Sequence, residues 1–208
     1  MSKGFLQQVV KWRGALGRPA IDEKHDESPL LPVELALLNA KFAGYEMARR
    51  LASERPDRTV AECPRMDLAS KASTQFDLES DWCAYWTREL GLGFAYHRKL
   101  WELTYVLQAL YDNDCLQAGR RGVVFGCGRE SLPSYCAARG INILATDLPR
   151  SSTDAQGWID TDQHADSLEE LHHPHLCTLD QLRANVERRA VDMNAIPSDL
   201  EGYDFCWS

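Results

Sequence analysis

Residues 122–147, GVVFGCGRESLPSYCAARGINILATD, contain the pattern that decides the fold. The apolar run 123–125 is typical of a buried strand, and the run 141–145 is typical of a second one. Between them, Pro133 near the start and Gly140 past the end predict a short helix. A strand, a tight turn, a helix and a strand within about 30 residues make up a βαβ unit. The pattern therefore predicts an α/β fold.

The turn after the first strand carries two glycines, Gly126 and Gly128. Glycine lets the backbone bend sharply and lets a ligand approach where a Cβ would clash. Asp147 closes the second strand, 19 residues after Gly128. An acidic side chain at this place accepts hydrogen bonds from the ribose hydroxyls of a nucleotide. The two glycines and the acid together predict a nucleotide-type binding site.

The residues after the glycines indicate which nucleotide-type ligand fits. A dinucleotide site has a third glycine where Ser131 stands here, so that the helix N-terminus faces a pyrophosphate. Glu130, beside it, would repel a pyrophosphate and favour a positively charged ligand. S-adenosylmethionine is a ligand of this kind, because it carries a sulfonium and an ammonium and no phosphate. An NAD-dependent oxidoreductase stays the alternative.

Helical patterns precede the glycine turn. The first opens at Pro32 and ends before Pro56, and residues 57–75 read as a connection. Ser80 or Asp81 caps a second helix, and apolar residues recur at helical spacing in a third, across 97–112. The aromatic side chains of this region are interpreted as helix packing, with some rings as part of a pocket wall: Trp82, Tyr85, Trp86, Tyr96 and Trp101. We therefore expect a helical N-terminal cap over residues 1–118.

Further elements follow the βαβ unit. Ser167 and Thr178 each begin a capping-box pattern, which predicts a short helix after each. The run 186–191 predicts a third strand, and the residues from Tyr203 predict a fourth. Residues 119–208 are thus expected to form a Rossmann-like domain with about four strands.

At this point the chain resembles the class I S-adenosylmethionine-dependent methyltransferases, and most closely a bacterial group with a helical N-terminal extension. The matching stretches are HRKLWE (97–102), FGCGRESLPSYCAARG (125–140), ILATDLP (143–149), DMNAIP (192–197) and YDFCWS (203–208). The resemblance implies methyl transfer from S-adenosylmethionine to a small molecule, a sugar or a protein side chain. In such enzymes catalysis is mostly alignment of the reacting atoms for in-line displacement.

The resemblance also implies cofactor contacts, residue by residue. These are Gly126, Cys127 and Gly128 for the methionine half, Asp147 for the ribose, and Leu148, Asp192 and the backbone of Met193 for the adenine. Arg98 and Lys99 would close over the cofactor carboxylate. No catalytic base is assigned, and Cys127 has no base beside it in the sequence that would make it a nucleophile.

One feature departs from the family, whose sheets have more strands than the four patterns found here. The last pattern ends at Ser208, which would leave the fourth strand as an open sheet edge. We therefore expect either a truncated fragment or self-association through this edge. A third reading is a degenerate methyltransferase fold that binds without catalysing.

Composition limits the classes of partner and the compartment. The 208 residues include 31 Asp and Glu against 23 Lys and Arg, a net charge of −8, which disfavours a nucleic acid partner. No apolar run reaches the ~20 residues that cross a bilayer, and no secretory signal is evident. Seven scattered cysteines lack disulfide or zinc spacing, and the segment 172–177 is interpreted as a solvated loop rather than a metal site. A cytoplasmic protein without a metal is expected.

Overall fold

The computed structural model describes residues 32–56 and 58–208. The helices are α1 (Pro32–Glu54), α2 (Gln75–Leu78), α3 (Asp81–Glu89), α4 (Arg98–Asp112), α5 (Leu132–Ala137), α6 (Gln156–Asp160) and α7 (Leu179–Asn185), with 3₁₀ turns at Thr153–Ala155 and Leu168–Leu171. The strands are β1 (Arg121–Val124), β2 (Asn142–Asp147), β3 (Val186–Ala190) and β4 (Phe205–Trp207). The predicted α/β fold with a helical N-terminal region is therefore confirmed.

The described strands form one parallel sheet in the order β3-β2-β1-β4. In its register, Val123 of β1 lies between Leu144 of β2 and Cys206 of β4. The chain moves outward from β1 to β2 and β3, and then returns to the other side of β1 to form β4. Open α/β sheets bind ligands where the order reverses in this way, outside the carboxyl ends of the strands. In this sheet the reversal lies between β1 and β4.

The strand ends differ from the sequence expectation in a way that matters for the site. β2 continues past Ala145 and includes Thr146 and Asp147. The Thr146 hydroxyl donates a hydrogen bond of 2.7 Å to the carbonyl of Val124, which ties the ends of β2 and β1 together. β1 ends before Phe125. The glycine turn therefore begins level with the carboxyl end of the neighbouring strand.

The N-terminal helices share a hydrophobic core with the sheet. One cluster of buried side chains includes Trp86 of α3, Leu107 of α4 and Val124 of β1. Trp86 meets Tyr135 of α5 edge to face, with ring centroids 6.1 Å apart, and its Nε1 donates to Gln108 Oε1 over 2.8 Å. The interpretation of the aromatic residues as helix packing is thus confirmed for Trp86. The division of the chain at residue 118 stays a prediction.

The ends of the helices follow the capping residues that the sequence offers. α3 begins after Ser80, whose hydroxyl accepts a hydrogen bond from Cys83 N over 3.3 Å, as predicted. α7 begins after Thr178 with a complete capping box, in which Gln181 Oε1 accepts from Thr178 N over 2.9 Å. The short helix predicted after Ser167 is present as the 3₁₀ turn Leu168–Leu171, but the Ser167 hydroxyl makes no capping hydrogen bond.

Helix α1 forms where the sequence predicts it, but its apolar side chains stay exposed. None of its residues is buried, and Phe42 keeps 60% of its surface accessible. Within residues 32–56 and 58–208, no helix combines the length and the apolar character that a membrane crossing requires. The cytoplasmic location stays a prediction.

Candidate functional site

The turn after β1 has the sharp bend that its glycines predict. Gly126 has φ +65° and Gly128 has φ +54°, a left-handed backbone region that favours glycine. Between them, Cys127 N donates a hydrogen bond of 2.9 Å to the carbonyl of Thr146. This bond fastens the turn to the end of β2, so the two adjacent strand ends form one surface.

The two glycines leave different spaces beside them. A Cβ on Gly128 would lie 2.7 Å from the carbonyl oxygen of Gln163, so the space at Gly128 is taken by the protein's own backbone. A Cβ on Gly126 would meet only Met193 Cε, at 3.8 Å, and Gly126 is exposed. Gly128 therefore serves backbone packing as well as the bend, and Gly126 is the glycine with an open side. The approach of Gln163 was not predicted from the sequence.

Asp147 ends β2 directly beside this turn. Its Oδ2 accepts a hydrogen bond from Gly128 N over 3.0 Å, and its Oδ1 accepts one from Leu148 N over 2.8 Å. The two backbone donors hold the carboxylate in one orientation. Only 8% of the residue surface is accessible. A carboxylate offers about four lone-pair sites, so these two bonds leave sites for two more donors. The sequence expectation that Gly128 and Asp147 lie together is confirmed.

The segment after β3 forms the next part of this edge. Val191 N donates to the carbonyl of Asp147 over 2.8 Å, which brings Asp192 and Met193 beside the end of β2. Asp192 is exposed, and its Oδ1 accepts from Asn194 N over 2.8 Å and from Asn194 Nδ2 over 3.0 Å. One oxygen of Asp192 therefore closes its own turn, while the Met193 side chain extends toward Gly126.

Leu148, the residue expected at the adenine, is half-buried and packs beside a histidine that sequence reasoning missed. His164 Nε2 lies 2.8 Å from the Leu148 carbonyl oxygen, and His164 Nδ1 lies 3.2 Å from Asp166 Oδ1. His164 is only 3% exposed. The segment after β2 is thereby fixed against the end of that strand. No motif spacing connects these residues, so sequence alone offers no signal for the contact.

On the other side of β1, the glycine turn contacts the end of β4. Trp207 Nε1 donates a hydrogen bond of 2.6 Å to Glu130 Oε1. Burial raises the pKa of Glu130 to about 7, although the Trp207 bond and the charge of Lys99 lower it. The neighbouring Arg129 points to another partner, since its guanidinium pairs with Glu170 at 2.7 Å. The carboxyl of Glu130 thus lies at the reversal between β1 and β4.

The charges of Lys99 and Glu102, both in α4, act on this carboxyl. His97 caps the helix, and its Nδ1 accepts from Lys99 N over 3.0 Å. Arg98 and Lys99, the residues expected at a cofactor carboxylate, both pair with Glu102, each over 2.9 Å. Their expected contact with the cofactor stays a prediction, and in this structure their charges are shared with Glu102.

Cys127 is buried within the glycine turn. Burial raises the pKa of its thiol well above the ordinary value, and the carboxylates of Glu130 and Asp147 raise it further. The thiol is therefore protonated at neutral pH, whereas a nucleophilic cysteine needs a thiolate. The backbone of Cys127, through its bond to Thr146, is the part that shapes the site.

The histidine segment 172–177 is a packed connection rather than a solvated loop, and the earlier interpretation is wrong at His172 and His173. Both are half-buried, with Nε2 atoms 2.9 Å from the Cys177 carbonyl oxygen and 3.3 Å from the Arg129 carbonyl oxygen. Burial lowers the pKa of His173. Among the residues that the structure describes, no group of three His, Cys, Asp or Glu side chains is placed to hold a metal ion.

Two surface cavities lie away from the glycine turn. One of about 500 Å³ and one of about 310 Å³ both contact Leu51 of α1 and Tyr96. Tyr96 thus lines a cavity, but not one at the glycine turn, and the expected aromatic wall of the cofactor pocket stays a prediction. Its hydroxyl donates a hydrogen bond of 2.5 Å to Glu79 Oε1.

The site therefore consists of the exposed Gly126 backbone, flanked by Asp147 on one side and by Glu130 on the other. No family model, curated protein or solved structure gives a significant match to this chain. The inference of function therefore rests on the geometry of the chain itself and on the sequence resemblance.

Proposed function

We propose that this chain binds S-adenosylmethionine at the carboxyl ends of β1 and β2 and is a class I methyltransferase. The observation that carries the proposal is the hydrogen bond of 3.0 Å between Gly128 N and Asp147 Oδ2. It joins the glycine turn and the acid at the end of β2, the two features that hold the nucleoside part of such a ligand.

The ribose fits the carboxylate of Asp147. Two of its lone-pair sites are used by Gly128 N and Leu148 N, and the remaining sites match the two hydroxyls of a ribose. The two backbone bonds also keep the carboxylate oriented before the ligand arrives, which lowers the ordering cost of binding. Met193 and Leu148 supply apolar surface at this edge, where an adenine ring would pack.

The charge of the site favours S-adenosylmethionine over a dinucleotide. Glu130 follows the glycine turn at the place where the pyrophosphate of NAD would meet the start of α5. A carboxyl there is unfavourable for a phosphate and favourable for a ligand with positive charge. We therefore disfavour the NAD-dependent oxidoreductase.

In the proposed reaction the residues of this chain bind and position. The cofactor supplies a methyl group on a positively charged sulfur, which is already a good leaving group. Asp147 orients the nucleoside, and the exposed backbone of Gly126 permits close approach, so that alignment supplies most of the rate enhancement. The acceptor is proposed as a small molecule, a sugar or a protein side chain.

The test is titration calorimetry with S-adenosylhomocysteine, the product that keeps the nucleoside and the amino acid of the cofactor. We expect the wild-type chain to bind it. Asp147→Asn is expected to bind about tenfold or more weakly, because a charge-assisted bond to the ribose is lost and the amide nitrogen cannot accept from Gly128 N or Leu148 N. Asp154→Asn, which removes an exposed carboxylate elsewhere, is the matched control and keeps wild-type affinity. Binding of NADH but not of S-adenosylhomocysteine by the wild-type chain would overturn the proposal.

A further inference from the structure

Glu130 occupies an unusual position for a carboxyl group, because it lies where the order of the strands reverses. Trp207, its hydrogen-bond donor, is the last residue of β4 and pairs with Val124, the last residue of β1. Glu130 itself follows the glycine turn that leaves β1. Both groups therefore border the crevice in which open α/β sheets bind their ligands.

We propose that the Glu130 carboxylate is the group that recognises a cationic part of the ligand, the ammonium or the sulfonium of S-adenosylmethionine. The inference rests on the proposed function, which it makes more specific. The proposal gives Glu130 a binding role in addition to its contact with Trp207. Glu130 would then be the residue that selects a cationic ligand over a phosphate.

Within residues 32–56 and 58–208, no Lys, Arg or His nitrogen comes within 4.0 Å of the Glu130 carboxyl. Lys99 is the basic residue whose charge acts on it, but the Lys99 ammonium is paired with Glu102 at 2.9 Å. The negative charge of Glu102 also acts on Glu130 and raises its pKa. Other polar groups near it are the Trp207 indole and the thiols of Cys127 and Cys136, and burial raises the pKa values of both thiols. His173 directs its Nε2 to a backbone carbonyl, that of Arg129.

A half-buried carboxylate without a counter-ion is costly, because its solvation is lost and no opposite charge replaces it. The raised pKa of Glu130, about 7, is the expected consequence, since burial favours the neutral form. A cationic ligand would supply the opposite charge that the described part of the chain does not place within 4.0 Å, and it would form a charge-assisted hydrogen bond. A pyrophosphate in the same place would meet repulsion, so one residue both favours one ligand class and disfavours the other.

The Trp207 bond gives the carboxyl a fixed direction. The indole Nε1 is only a donor, and at 2.6 Å it holds Glu130 Oε1. The second oxygen of the carboxyl is then left for a ligand. Glu130→Gln keeps an oxygen that accepts from Trp207 and removes the charge, so it separates recognition of a cation from support of the fold.

The experiment compares two ligands that differ in one cation, S-adenosylhomocysteine and its analogue in which hydrogen replaces the amino group. Calorimetry is run with the wild-type chain, with Glu130→Gln, and with Glu201→Gln, which neutralises an exposed carboxylate as the matched control. We expect the wild-type chain and the control to prefer S-adenosylhomocysteine by about tenfold or more. Glu130→Gln is expected to lose this preference.

A third ligand identifies the cation. S-adenosylmethionine carries the sulfonium as well as the ammonium. The affinity of a variant for S-adenosylmethionine relative to S-adenosylhomocysteine therefore reports its preference for the sulfonium form. If Glu130→Gln removes that preference instead, Glu130 faces the sulfonium. An unchanged preference in both ligand pairs overturns the Glu130 proposal and leaves the proposed function standing. No binding of any of these ligands by the wild-type chain overturns the proposed function itself.

A second variant covers the case in which Glu130→Gln does not fold. Trp207→Phe keeps the carboxylate and removes the donor that orients it. We expect it to reduce the preference for the amino ligand by a few fold, because the carboxylate is then less well positioned. If Trp207→Phe lowers the melting temperature but leaves every ligand preference at the wild-type value, the pair is structural only and the proposal fails.

Discussion

The backbone N–H of Gly128 and the Oδ2 atom of Asp147 form a hydrogen bond of 3.0 Å across the ends of two adjacent strands. The bond makes the glycine turn and the carboxylate one unit, because Leu148 N holds the other oxygen of the same side chain over 2.8 Å. A change at Asp147 therefore alters the shape of the turn as well as its charge.

The first prediction concerns the stability of this unit. Asp147→Ala removes the acceptor of two backbone N–H groups at a nearly buried position, and an unsatisfied buried donor costs about 1–3 kcal/mol. We expect Asp147→Ala to lower the free energy of unfolding by roughly 2–4 kcal/mol, and Asp147→Asn by less, because its amide oxygen still accepts. Urea unfolding measures the difference. Asp154→Ala, at an exposed site, should stay within about 0.5 kcal/mol of the wild-type chain.

The second prediction uses the two capping patterns that look equivalent in the sequence. Thr178 accepts from Gln181 N over 3.2 Å, whereas the Ser167 hydroxyl makes no capping hydrogen bond. Thr178→Ala should therefore cost about 1 kcal/mol of stability, and Ser167→Ala less than about 0.5 kcal/mol. Chemical denaturation of both variants tests this. A loss from Thr178→Ala no larger than about 0.5 kcal/mol would show that the capping box does not stabilise α7.

Most of the secondary structure follows from local rules, and this part is readable from the sequence. Helices begin at Pro32, after Ser80 and after Thr178. Ser80 and Thr178 accept a hydrogen bond from a backbone N–H at the start of the helix, and Pro32 lacks the N–H that would be unpaired there. The absence of a capping bond at Ser167 has a physical reason, since a capping pattern needs a following helix long enough to reward the bond. A 3₁₀ turn of four residues does not supply one.

The candidate site is only partly readable from the sequence, because its two sides have different origins. The Gly128–Asp147 contact lies within one βαβ unit, where motif spacing determines which residues meet. Glu130 and Trp207 are 77 residues apart, and they meet because β4 crosses back beside β1. Glu130 is visible as an acid near the glycines, but its partner and its raised pKa depend on this crossing and on burial.

The third prediction concerns the core shared by helices and sheet. Trp86 is 2% exposed, whereas Trp158 is 54% exposed. Trp86→Ala should lower the free energy of unfolding by about 3–5 kcal/mol, because it leaves a cavity and removes the indole donor of Gln108 Oε1. Trp158→Ala removes the same side chain from the surface and should cost less than about 1 kcal/mol. Thermal and urea unfolding compare the two, and similar losses would contradict the burial of Trp86.

The fourth prediction is that Glu130 makes the ligand-free chain less stable as the pH rises. Its pKa is about 7 when folded against an ordinary value of 4.5, so between these values the folded chain binds more protons than the unfolded chain. The stabilisation from this group is complete below about pH 4.5 and is lost as the pH rises through about 7. From about pH 5 to pH 8, the free energy of unfolding of the wild-type chain should therefore fall by roughly 2 kcal/mol relative to that of Glu130→Gln.

The lowered pKa of His173 acts in the opposite direction in both proteins, so it cancels in the difference. Urea unfolding at both pH values, with Glu201→Gln as the control, measures that difference, and a value independent of pH would show that Glu130 ionises as an exposed carboxyl does.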